Sequence, residues 1–144
     1  MHKELVSELT QGNKWVKIQP PCSESDIDNA EKETGYAFPE ELQALLREMN
    51  GDGYLFLSSG EIAEQARLNR KILDECSEED YAKGLKGLLF FAGNGCGDYY
   101  CYRKDDNGEI VENAIYIWEH EESCCRQVAS DMAELIKRYY HDEI

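Results

Sequence analysis

The chain is 144 residues long, and its 42% hydrophobic and 10% aromatic content can fill an apolar core, which excludes a disordered chain and gives one domain over residues 1–144. The 30 acidic residues against 15 basic ones leave a formal charge of −15 at pH 7. Binding to a phosphate backbone depends on Lys and Arg displacing condensed counterions, so this balance argues against direct nucleic-acid binding and predicts that a macromolecular partner is basic.

The opening Met1-His2-Lys3-Glu4-Leu5 places a carboxylate where a secretion signal turns apolar. No apolar run nears the ~20 residues a bilayer requires, so a soluble, cytoplasmic protein is expected. A first helix is predicted over 3–11, with Leu5, Val6 and Leu9 on one face and Gly12 as its stop. Trp15-Val16-Lys17-Ile18 alternates as an edge strand does, until Pro20-Pro21 removes two backbone donors. Ser23-Glu24-Ser25-Asp26 has capping-box spacing and starts a second helix with Ile27, Ala30 and Thr34 inward and Gly35 as its terminator. Pro39 opens a third, striped by Leu42, Leu45, Leu46 and Met49 and ended by Asn50-Gly51.

Tyr54-Leu55-Phe56-Leu57 reads as a strand of four residues, 61–75 as a less regular helix, and Ser77-Glu78-Glu79-Asp80 as a cap before one or two helical turns. A sheet follows. Gly87-Leu88-Leu89-Phe90-Phe91-Ala92 is a buried strand, Gly93-Asn94-Gly95-Cys96-Gly97 a turn, the tyrosine-rich 98–103 a strand, Asp105-Asp106-Asn107-Gly108 a tight turn, and Ala114-Ile115-Tyr116-Ile117-Trp118 a third strand. A last helix is predicted over 126–141, with Val128, Met132, Leu135, Ile136 and Tyr139 inward. Helices grouped apart from hairpin-linked strands give an α+β fold with a largely antiparallel sheet.

None of the local motifs predicts catalysis or a cofactor. The glycines of 93–97 lead into a strand rather than the helix that a phosphate loop needs, and the Asp105-Asp106-Asn107-Gly108 turn is out of register for a calcium loop. The six cysteines lack zinc-knuckle spacing and are expected as free thiols; His120 with Cys124 and Cys125 is the one cluster that a metal or a Cys-His hydrolase reading can use. The acidic clusters carry more. Asp98, Asp105, Asp106, Glu119, Glu121 and Glu122 flank the predicted sheet turns, and with Tyr99 they are the candidate partner-binding residues. If they face the same way as the tyrosines of 98–102 they form a negative rim around aromatic anchors; the alternative is a solvated face with the tyrosines packed inward.

Gly35-Tyr36-Ala37-Phe38-Pro39-Glu40-Glu41-Leu42, the helix ending Met49-Asn50-Gly51-Asp52-Gly53, then Phe91-Ala92-Gly93-Asn94-Gly95-Cys96-Gly97-Asp98-Tyr99-Tyr100 and Ile115-Tyr116-Ile117-Trp118-Glu119-His120-Glu121 resemble the Smi/Knr-type proteins of the SUKH superfamily, over about residues 23–140. Members more often have Leu where this chain has Phe38. The resemblance implies helices packed against a curved sheet. It also implies, in bacteria, a non-catalytic immunity protein that binds and neutralises a cognate toxin, frequently a nuclease; fungal relatives act in cell-wall regulation. A regulatory module with a host protein partner is the alternative.

Overall fold

In a computed structural model describing residues 1–144, the polypeptide forms six helices and one four-stranded sheet. Helix α1 (His2–Leu9) buries Val6. Helix α2 (Glu24–Thr34) starts where its cap requires, with the Ser23 hydroxyl accepting from the Asp26 amide at 3.1 Å, and closes at Gly35 with φ 76°. Pro39 is the N-cap of α3 (Glu40–Glu48) rather than its first helical residue. Leu42, Leu45, Leu46 and Met49 are all buried, each burial contributing about 2 kcal/mol relative to exposure. Helix α4 (Ser59–Glu75) begins two residues earlier than predicted, because Ser58 and Glu61 form a reciprocal capping box.

Two predicted strands are not strands. The 15–18 segment is irregular, with Trp15 67% exposed; what pairing it has comes from the Lys17 amide to the Asp52 carbonyl and Gln19 to Gly51. Tyr54-Leu55-Phe56-Leu57 reduces to one antiparallel bridge, Phe56 to Ala92. The cause is Asp52, whose Oδ1 accepts the amides of Tyr54, Leu55 and Phe56, each at 2.9 Å, so those donors face a side chain instead of a ladder. Burial drives the Asp52 carboxyl up from its ordinary value, against the pull of these amides. Ser77 is not a cap either: helix α5 (Asp80–Lys83) is a single turn entered through Glu79.

The sheet consists of β1 (Leu88–Gly93), β2 (Tyr99–Arg103), β3 (Ile115–Glu119) and β4 (Cys124–Ala129), antiparallel throughout and in sequential order. Strand β4 corrects the predicted start of the last helix, since 126–129 are extended and α6 spans Met132–Tyr140. The stop signal is Ser130-Asp131, where the Asp131 carboxylate accepts the Glu134 amide at 2.8 Å and fixes the helix entry. Val128 is buried as expected, but from a strand.

Alternation divides the sheet into two faces. Leu89, Phe91, Tyr100, Tyr102, Ile115, Ile117 and Val128 join the core formed with α1, α2, α3 and α6. Leu88, Phe90, Cys101 and Trp118 form a smaller cluster with Leu85 on the opposite face, where Tyr99, Tyr116 and Cys125 are half-buried.

Candidate functional site

Because β1 and β3 run one way and β2 and β4 return, the β1–β2 and β3–β4 turns meet at one end of the sheet. Asp98 joins them. Its Oδ1 accepts the His120 amide at 3.0 Å and lies 2.7 Å from His120 Nδ1, while Oδ2 accepts from Asn94 Nδ2 at 3.2 Å. Gly97, at φ 98°, lets the imidazole approach: a Cβ there would sit 3.0 Å from His120 Nδ1. Burial pushes the Asp98 carboxyl up, but the His120 amide, the imidazole and Asn94 outweigh it and hold the group below its ordinary value. Asp98, Glu119, His120, Glu121, Glu122 and Cys124 line a cavity of about 270 Å³.

A second tie holds the β3–β4 turn from below. Ser123, buried at φ 50°, accepts from Trp118 Nε1 at 3.0 Å and donates to the Tyr81 carbonyl at 2.6 Å. Gly84 lies against the same residue, so closely that a Cβ on it would stand 1.8 Å from the Ser123 carbonyl oxygen. Helix α5 is therefore docked directly under the acidic turn.

Of the residues singled out in the sequence, Asp98, Glu119, Glu121 and Glu122 come together here, and Tyr99 stands beside them, half-buried and stacked on Phe90 at 4.7 Å between ring centroids. Tyr100 and Tyr102 do not share its direction; both are buried in the main core. The aromatic rim thus contains one tyrosine of three, as alternation along a strand requires. Asp105 and Asp106 lie at the other end of the sheet, in the β2–β3 connection, where Asp105 Oδ1 accepts the amides of Asn107 at 2.8 Å and Glu109 at 3.1 Å. Asn94 and His120, which position Asp98, are the residues missed as partners. Their signal is an Asn and a His at facing turns, visible only once the strand pairing is known.

The arrangement presents negative charge and does not assemble a Cys-His pair. The His120 imidazole is engaged by Asp98, and the Cys124 thiol faces Glu122 Oε2 at 3.9 Å rather than the imidazole. All six cysteines are free thiols, and no group of three or more His, Cys, Asp or Glu side chains is placed to hold a metal ion. No helix is long and apolar enough to cross a membrane.

Residues 21–138 match the SMI1/KNR4 family (SUKH-1), a span that includes α2 to β4 and nearly all of α6. The chain belongs to this family. Among curated proteins, none matches it. As a SUKH-1 member it has the α+β architecture that the motifs around Pro39, Asn50-Gly51 and Gly97-Asp98 implied. The cap, the helix stop and the turn carrying those motifs are the joints of the fold, which is why the pattern identifies it.

Proposed function

We propose that this SUKH-1 protein is a non-catalytic immunity protein, which binds a cognate toxin and blocks it through its acidic turn end. The observation that carries the reading is the gathering of Asp98, Glu119, Glu121 and Glu122 beside the half-buried Tyr99, on a chain of formal charge −15. A nuclease cleft is basic because it must hold a polyanion, so a rigid acidic projection either occupies it or covers its approach. Tyr99 supplies a flat amphipathic surface at little cost in conformational entropy. Neither role needs a reacting group, which agrees with a His120 engaged in holding two turns together.

The test is co-expression with the toxin encoded beside this gene. Cells carrying both are expected to survive, and cells carrying the toxin with a Glu121→Lys, Glu122→Lys variant to lose protection. Equal killing with and without the wild-type protein overturns the proposal for that pair.

A further inference from the structure

A larger cleft opens at the opposite end of the sheet, between the start of α3 and the β2–β3 connection. Its volume of about 560 Å³ is in the range of ligand-binding clefts. One wall is α3, with Glu40 and Glu41; the other is Ile110, Val111 and Glu112; Tyr102 lies at the base. None of the ten lining residues is a Lys or Arg. Tyr102 is 3% exposed and donates its hydroxyl to Glu41 Oε2 at 2.6 Å, and Glu41 Oε1 accepts the Met132 amide at 3.0 Å, so the innermost carboxylate is fixed in place. Glu40 and Glu112 are exposed.

An occupant has to match aliphatic walls and unneutralised carboxylates together. Lysine and arginine do so within one side chain, as their methylene stems cover apolar surface while the cationic head seeks an anion. The volume exceeds what one side chain fills, leaving room for flanking main chain. We propose that this cleft receives a lysine or arginine side chain presented by an extended segment of a partner protein. The site lies at the opposite end of the sheet from Asp98 and Glu119–Glu122 and does not depend on the partner being a toxin.

The test titrates the isotope-labelled full chain with two blocked pentapeptides, Gly-Leu-Arg-Leu-Gly and its counterpart with neutral citrulline for arginine, followed by amide NMR shifts. The arginine peptide is expected to give saturable shifts at residues 40–44 and 110–113, and the citrulline peptide to bind about tenfold more weakly, as the loss of one charge-assisted contact implies. The Glu40→Lys, Glu112→Lys variant, which changes exposed side chains only, is expected to abolish the shifts while the protein stays folded, its unfolding midpoint lowered only by the small effect of a cation in the first turn of α3. Shifts centred on residues 120–122, shifts scattered over the acidic surface, equal binding of both peptides, or no saturable shift each overturn the proposal. Cell survival reads the immunity role and peptide shifts read the cleft, so either can fail alone.

Discussion

The two ends of the sheet are both acidic, but their carboxylates serve different purposes. At the turn end Asp98 is bonded into the fold through a main-chain amide, while Glu121 and Glu122 project into solvent. At the cleft end Glu41 joins Tyr102 to the start of α6, while Glu40 and Glu112 project. Each end thus has carboxylates that hold structure, Asp98 at one and Glu41 with Asp105 at the other, and a pair that is free to meet a partner. Charge counting cannot separate these kinds, but acceptance of a main-chain amide can: Asp52, Asp98 and Glu41 all meet it, and none of the projecting pairs does so at either end.

The largest expected effect breaks the turn end away from its support. Gly84→Ala puts a methyl group within 1.8 Å of the Ser123 carbonyl oxygen, which is main chain and cannot rotate aside. Helix α5 must separate from the β3–β4 turn, costing about 3 kcal/mol in urea unfolding. Unchanged stability would show that α5 does not hold the turn. Next comes Glu41→Ala, which leaves the buried Tyr102 hydroxyl and the Met132 amide without their acceptor and is expected to cost about 2 kcal/mol. Glu41→Gln, which keeps one carbonyl oxygen, should cost about half as much. A Glu41→Ala cost no larger than that of Glu40→Ala would erase the distinction between fixed and projecting acids at the cleft.

The same distinction explains what could be read from the chain. Local signals sufficed for the Ser23 cap, the α3 stripe and the β1 to β3 meander, because each depends on residues a few positions apart. Strand β4 was hidden because Val128 continues the helical spacing of Met132 and Leu135, and because its exposed residues Cys124, Arg126 and Gln127 lack the apolar alternation of a buried strand. The Asp131 cap was the available signal. Tyr54-Leu55-Phe56-Leu57 has strand composition, but Asp52 takes its amides, and nothing in the run itself reveals that. The site divided the same way: nearness to predicted turns singled out Asp98, Glu119, Glu121 and Glu122 together with Asp105 and Asp106, but only the strand pairing brings the first four to one end and puts the other two at the opposite one, and Glu41 was not among the candidates. Its partners Tyr102 and Met132 are 61 and 91 residues away.

A smaller effect tests whether Asp98 belongs with the structural acids. Its carboxyl titrates below the ordinary 3.8 in the folded protein, so its ionised form stabilises the fold above pH 3.8, and that contribution fades as pH falls through the lower folded value. Asp98→Asn has no such proton equilibrium. The variant is expected to be about 1 kcal/mol less stable at neutral pH, with the gap closing below about pH 4. A gap that stays constant across this range would assign the loss to shape and not to charge.

The smallest effect on stability should accompany the largest on association. Glu121→Lys with Glu122→Lys alters exposed side chains and removes no hydrogen bond but the long one from the Cys124 thiol to Glu122, so unfolding is expected to move by no more than about 0.5 kcal/mol. Association with a basic partner should slow, since long-range attraction sets the encounter rate more than the lifetime of the complex. The difference should shrink between about 0.01 M and 0.15 M salt, as the screening length falls from about 30 Å to about 8 Å. Asp106→Lys with Glu109→Lys, both exposed, reverses the same number of charges at the other end and is the control. If both pairs slow association equally, steering comes from net charge and neither end is the docking surface. If only the turn-end pair acts, and through dissociation as well as association, then Glu121 and Glu122 lie within the interface, and the acidic turn is a binding site in its own right.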